Sequence, residues 1–156
     1  MQSAIERNQP ESRVGEALAQ GQEVFAQTLA RHGFELRKGE TTTLQINVGL
    51  LCNQMCRHCH LEAGPARSEV MNRKTMDEVV AYAKRACFQV VDITGGAPEM
   101  NPNLGHLIET IRPFAPRLML RVNLTALAEH KTDYLLELCK NSGVVIVASL
   151  PSVSAS

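Results

Sequence analysis

The sequence predicts an α/β chain built on parallel strands, and three observations predict it. Segments of period two alternate with segments of helical period from Leu44 to Leu150. The connections between successive predicted strands are each long enough to hold a helix, as a parallel crossover requires. Polar or cysteine-bearing sequences fall at the C-terminal end of each predicted strand, the edge where parallel α/β proteins bind ligands. An open doubly wound sheet and a barrel both satisfy these observations. Four strands do not close a barrel, so the barrel reading carries the expectation that the chain is incomplete.

Residues 1–40 are expected to form an N-terminal tail and helix. Residues 1 to about 13 are polar and contain Pro10; a helix is predicted from about Val14 to Arg31, with Leu18, Phe25 and Leu29 on one side and Gly33 as its stop. Residues 41–151 are expected to form the core domain. Leu44, Ile46 and Val48 alternate as in a strand, and a long loop then runs from Gly49 to about Asn72. Thr75 and Glu78 form a capping-box signature for a helix whose stripe is Met76, Val79, Val80, Ala83 and Cys87. Phe88 to Ile93 is the second strand. Leu104, Leu107, Ile108 and Ile111 mark the second helix, which Pro113 ends. Leu118 to Leu124 is the third strand. Thr132 to Asn141 is the third helix, with Leu135, Leu138 and Cys139 facing in and Gly143 stopping it. Val144 to Leu150 is the fourth strand, and residues 152–156 are expected to be a disordered tail.

Composition narrows the function classes. Apolar residues make up 44% of the chain, which fits a folded domain. Sixteen Lys and Arg balance sixteen Asp and Glu, so there is no electrostatic reason to expect nucleic acid or an anionic membrane as partner. The N-terminus lacks an apolar signal core, and no run of about 18 apolar residues exists to span a bilayer. A cytoplasmic protein is expected. Three of the five cysteines crowd into Cys52 to Cys59, which in such a protein suggests metal rather than disulfides.

The sharpest motif is that crowd, Cys52-x3-Cys56-x2-Cys59. Thiolates suit iron–sulfur clusters or zinc. Three thiolates can hold three corners of a cubane and leave the fourth iron open to a small molecule. Structural zinc is the competing reading, but it uses four ligands, typically as two short-spaced pairs. Here there is one triplet, and His58 or His60 would have to complete the site from positions beside Cys59. Cys87 and Cys139 fall on apolar helical stripes and are expected to be buried small hydrophobes.

Three weaker signals share the same rim. Thr94-Gly95-Gly96-Ala97-Pro98-Glu99 follows the second strand, and its glycines either let a ligand approach the backbone or make a tight turn. Arg121, Asn123 and Thr125 form a polar row at the end of the third strand, which either caps a helix or holds a ligand. Ser149, with Pro151, ends the fourth. Read together, these sequences describe one site.

At these residues the chain resembles the radical S-adenosylmethionine (SAM) superfamily. Cys52-x3-Cys56-x2-Cys59 after a first strand is similar to its cluster motif, and Thr94-Gly95-Gly96 to its glycine pair. The wider wording is most similar to the arsenosugar-biosynthesis radical SAM proteins: the first strand, His58-Cys59-His60, Ala63-Gly64-Pro65, Asp92 to Glu99, Arg121-x-Asn123-Leu124-Thr125 and Ser149-Leu150-Pro151. Two departures from the general superfamily pattern, His58 in place of an aromatic residue and Ala97 in place of glutamate with Glu99 two places on, are typical of that subgroup.

The resemblance implies a partial (β/α) TIM-like barrel with about four βα units, truncated. It implies a 4Fe–4S cluster on Cys52, Cys56 and Cys59, and SAM against Gly95, Gly96, Glu99, Arg121, Asn123, Thr125 and Ser149. It implies one-electron cleavage of SAM to methionine and a 5′-deoxyadenosyl radical, for adenosylation of a methylated arsenical. The implied partners are a small-molecule substrate and an electron donor such as flavodoxin or ferredoxin, with no nucleic acid and no membrane. The alternative is a non-catalytic iron–sulfur or zinc-binding module, or an inactive truncated product.

Overall fold

The computed structural model describes residues 24–129 and 133–149. The two predicted tails lie outside these residues, as do Leu18, Thr132, Leu150 and Pro151. The chain divides into two compact units, Met1–Glu40 and Thr41–Ser156. In the first, residues 24–31 are helical. Gly33, at φ +70°, ends that helix: its N–H meets the Ala30 carbonyl at 3.1 Å and the Phe34 N–H meets that of Leu29 at 2.9 Å. This six-to-one and five-to-two pair is the Schellman arrangement that glycine permits.

The second unit holds one sheet of four parallel strands in sequence order: β1 (Thr43–Asn47), β2 (Val90–Thr94), β3 (Arg117–Asn123) and β4 (Val145–Ser149). Helix α1 (Arg73–Ala86) joins β1 to β2, and α2 (Leu104–Ile111) joins β2 to β3. A short α3 (Leu124–Glu129) and α4 (Asp133–Asn141) lie between β3 and β4. Thr94 pairs with Asn47 and Ser149 with Asn123, while β3 runs on past the end of β2, so the C-terminal strand ends form one rim in two steps.

The two faces of the sheet differ in chemistry. Ile46, Val91, Ile93, Leu118, Leu120 and Val122 are buried in one core with Met76 and Ala83 of α1, Leu104, Leu107, Ile108 and Ile111 of α2, and Leu135 and Cys139 of α4. On the alternate positions stand Gln45 and Asn47, Asp92 and Thr94, Arg121 and Asn123, and Ser149, because successive strand residues point to opposite faces. A doubly wound sheet packs helices on both faces and needs apolar residues on both. Here the strands run in sequence order and the described helices share a single core with one face; the other face carries Val90, Met119, Val145 and Val147 besides its polar residues, which gather toward the C-terminal rim. That is a segment of a (β/α) barrel, and it decides between the two architectures the sequence leaves open.

Three details depart from expectation. Asn72, not Thr75, caps α1: its Oδ1 accepts the Thr75 N–H at 3.0 Å. The third predicted strand stops one residue early, because Asn123 turns the chain into α3. Cys87 is exposed, although the helical stripe points to burial. Helix α1 ends at Ala86, and Cys87 is its C-cap at φ 53°, so the left-handed turn carries the side chain off the stripe while its N–H closes on the Ala83 carbonyl. Cys139 is buried as expected, and burial pushes its thiol pKa up, which leaves it inert.

The two cysteines should therefore respond differently to substitution. Cys139→Ala opens a gap in the core and should cost about 1–3 kcal/mol. Cys87→Asn places a residue that tolerates the left-handed conformation and should be neutral or stabilising by up to about 1 kcal/mol. Urea unfolding of the two variants checks this; equal destabilisation would contradict it.

Candidate iron–sulfur and SAM site

The long loop from β1 to α1 carries the three cysteines, and it is fastened at its base. The Met71 N–H donates to the Val48 carbonyl at 2.9 Å, and the Leu50 N–H to that of Glu69 at 2.8 Å. Buried Asn101 donates from Nδ2 to both ends of the loop, to Val48 at 3.0 Å and Met71 at 3.1 Å. Higher up, the Cys52 N–H donates to the Gly64 carbonyl at 3.3 Å and the Gly64 N–H to that of Leu50 at 3.1 Å. A loop of this length needs such internal bonds, since each unpaired buried peptide group is costly.

The loop lies against the turn after β2. Gly96 N–H donates to the Gly49 carbonyl and Ala97 N–H to the Leu51 carbonyl, both at 2.9 Å. A Cβ on Gly96 would stand 2.6 Å from the Leu51 oxygen and 2.9 Å from that of Leu50. A Cβ on Gly95 would stand 3.0 Å from the Gly49 oxygen. The glycine pair is thus required by the close approach of two backbones within the chain.

At the end of β3, Asn123 joins three elements. Its Oδ1 accepts the Thr125 N–H at 3.1 Å and the Thr125 hydroxyl at 2.9 Å, which starts α3. Its Nδ2 reaches Asn53 Oδ1 at 2.8 Å and Cys52 Sγ at 3.6 Å in the cysteine loop. Its backbone N–H donates to Glu99 Oε1 at 2.7 Å. Asn53 Nδ2 in turn donates to Glu129 Oε2 at 2.6 Å and to the Thr125 hydroxyl at 3.2 Å. The polar row therefore both caps a helix and fastens the loop.

Deeper on the polar face, Arg121 donates to Asp92 from Nε at 3.0 and 3.1 Å and from Nη2 at 2.9 Å, and Gln45 Nε2 adds 3.0 Å. Burial raises the Asp92 pKa, but the bonds from Arg121 and Gln45 and the Arg121 charge outweigh it, so the carboxyl sits below its ordinary value. The Asp92 bond raises the Arg121 guanidinium in return, with the carboxylate charge adding to it. The Asp92 side chain is 8% exposed and that of Arg121 48%, so the pair presents its cationic half to the cavity.

These residues surround a cavity of about 710 Å³, which falls in the range of small-molecule and cofactor sites. Cys52, Cys56 and Cys59 line it together with His58 and His60. Gly95, Gly96, Arg121, Asn123, Thr125 and Ser149 line its other walls. Glu99 is not in the wall; it is buried behind Asn123. Asn53, Glu129, Asn101 and the Asp92–Gln45 pair take part in the site without having been singled out in the sequence. The Asn-Pro-Asn run at residues 101–103 is the signal that points to Asn101.

Among the described residues, no three His, Cys, Asp or Glu side chains converge closely enough to hold a single metal ion. All three thiols line the one cavity. A 4Fe–4S cluster takes one thiolate at each of three corners, so a soft set of three thiols beside open space fits such a group in its chemistry.

A family profile, "Radical SAM superfamily", matches residues 46–152, more than half of the chain. The chain belongs to the radical SAM superfamily. Members of this superfamily characteristically use a 4Fe–4S cluster and SAM. The matched region runs from Ile46 in β1 through the end of β4 and includes the three cysteines, the glycine pair, Arg121, Asn123, Thr125 and Ser149. The chain is similar to a Pyrococcus abyssi protein named "Probable GTP 3′,8-cyclase", 31% identical over 86 residues, which are 55% of this chain and 28% of the relative. A Thermococcus kodakarensis protein of the same name is 30% identical over 91 residues, 56% of this chain and 29% of the relative. "Putative peptide biosynthesis protein YydG" of Bacillus subtilis is 31% identical over 83 residues, 52% of this chain and 26% of the relative. The aligned part thus spans less than a third of each of these relatives. Among the described residues no helix is long and apolar enough to cross a membrane.

The backbone seam sets an expectation for Gly96. Gly96→Val should displace the cysteine loop and lower iron and sulfide uptake together with SAM binding, and limited proteolysis should cut within residues 50–64. Full iron uptake with SAM affinity alone reduced would show that the glycine serves the ligand and not the loop.

Proposed function

We infer that this domain binds a 4Fe–4S cluster through Cys52, Cys56 and Cys59 and SAM in the adjoining cavity, as part of a radical SAM enzyme. One observation carries the reading: the three thiols and the polar ends of β2, β3 and β4 face the same open space. When bound, the cluster and SAM supply a one-electron cleavage to methionine and a 5′-deoxyadenosyl radical.

The chain's own residues bind, orient and shield. Gly95 and Gly96 offer main-chain groups at the cavity wall, and Arg121 offers a guanidinium held in place by Asp92. Asn123, Thr125 and Ser149 offer polar groups level with the cysteine loop. Glu99 acts from behind, by fixing the Asn123 backbone. Positioning donor and acceptor in contact is what such a site contributes to rate, and excluding water protects a reactive product.

The substrate we propose is a methylated trivalent arsenical, adenosylated in arsenosugar biosynthesis. It is supported by the wording around Cys59, Ala97-Pro98-Glu99 and Arg121-x-Asn123-Leu124-Thr125. The similarity to the cyclases and the peptide biosynthesis protein covers little more than half of this chain and less than a third of each relative, so it bears on the superfamily more than on the substrate. A cytoplasmic protein reduced by flavodoxin or ferredoxin fits this chemistry.

Anaerobic reconstitution tests the reading. Cys52→Ala, Cys56→Ala and Cys59→Ala should each lose iron and sulfide, while Cys87→Ala and Cys139→Ala keep them. Full retention by Cys56→Ala would falsify the ligand assignment. With SAM, a strong reductant and the arsenical, a product carrying both adenosyl and arsenic supports the substrate. Accumulation of 5′-deoxyadenosine without it contradicts the substrate.

A further inference from the structure

Cys52 differs from the other two thiols of its loop. It is buried, whereas Cys56 and Cys59 are partly exposed. Two N–H groups reach its sulfur: the Gln54 backbone at 3.5 Å and the Asn123 side chain at 3.6 Å. Cys56 Sγ faces a carbonyl instead, donating to Gln54 Oε1 at 3.6 Å. Of the two donors to Cys52, the one from Gln54 belongs to the loop itself. The one from Asn123 comes from β3, 71 residues away in sequence.

The Asn123 amide cannot turn freely. Its oxygen is held by the N–H and hydroxyl of Thr125, and its nitrogen also donates to Asn53 Oδ1. Glu99 holds its backbone. The Thr125 N–H can only donate, so it keeps the amide oxygen toward α3 and thereby the NH2 toward the cysteine loop. A flipped amide would set its oxygen against the sulfur, where a thiolate would repel it.

We propose that Asn123 is a positioning residue for the cluster: it donates a fixed N–H to the Cys52 thiolate and raises the cluster's reduction potential. The inference rests on the cluster reading above, and it gives Asn123 a role separate from any contact with SAM. Adding one electron makes the cluster and its thiolate ligands more negative. A donor aimed at a ligand sulfur stabilises that form more than the oxidised one, and hydrogen bonds to sulfur are among the factors that set such potentials. Burial of Cys52 strengthens the effect, because water does not compete for the sulfur. The same bond ties the potential to the structure, since Asn123 keeps its orientation only while Thr125 and Asn53 hold it.

The experiment is a redox titration of the reconstituted chain, followed by the electron paramagnetic resonance of the reduced cluster, without SAM or substrate. Asn123→Ser retains an acceptor for the start of α3 but is too short to reach the sulfur. Asn123→Asp keeps the shape and removes the N–H. Thr125→Ala removes a neighbouring bond without touching the sulfur donor. At a fixed solution potential, the ratio of reduced to oxidised cluster should fall about tenfold in Asn123→Ser, ~59 mV for one electron, and at least as far in Asn123→Asp. Thr125→Ala should shift less than either. Iron and sulfide per chain should match the parent. An unchanged potential in either loaded Asn123 variant overturns the proposal, as does loss of the cluster from both, which would make Asn123 a folding residue only. A parent chain that takes up no iron and sulfide fails the cluster reading itself, a result distinct from a loaded parent with unshifted variants.

Discussion

Two stretches of backbone, Gly49 to Leu51 and Gly95 to Ala97, run so close, with no side chain between them, that the second donates two N–H groups to carbonyls of the first. The position of the cysteines depends on this seam. A loop of some twenty residues rich in polar groups has little apolar area to bury, so hydrophobic packing alone does not hold it. Main-chain bonds do, and they are directional enough to fix where three thiols stand. The seam needs a strand end on one side and glycine on the other, which is why the glycines follow β2 directly. Gly49 contributes from the other side at φ +144°, a conformation that suits glycine.

Asn123 and Asn101 extend the same logic with side chains. Asn101 stitches the foot of the loop and Asn123 its upper part, each using an amide that can donate and accept at once. The polar face of the sheet below is occupied by Asp92, Gln45 and Arg121, whose mutual bonds make a buried carboxylate tolerable. A charged network on one face of a parallel sheet is costly unless that face lines a cavity, so the fold and the site are two consequences of one arrangement.

The elements were legible where periodicity alone decides. The second helix, read from Leu104, Leu107, Ile108 and Ile111, spans those residues, and the four strands appear in order within a residue or two of their predicted ends. The start of α1 was misplaced because Asn72 and Thr75 both suit a cap, and only the turn geometry selects the first. Cys87 was misread because a helical stripe carries no information about where the left-handed stop falls. Helix α3 was missed: it is six residues long and follows its strand without a break, so no turn signal separates them. At the site, the cysteine spacing and the shared rim were readable, since local sequence encodes both. The partners Asn53 and Glu129 were not, because they act across separations that a single sequence does not reveal. The glycine pair suits either ligand approach or a tight turn in the sequence, and its Cβ positions meet the chain's own carbonyls, a packing demand that local sequence does not reveal.

The seam can be observed without any cofactor. Hydrogen exchange of the Gly96 and Ala97 amides in the cluster-free chain measures it directly, because both N–H groups are spent on the cysteine loop. The account predicts protection approaching that of the β2 amides before any iron is added. Exchange as fast as that of an exposed loop, with protection gained only on cluster binding, would mean that the metal builds the site and the glycines do not.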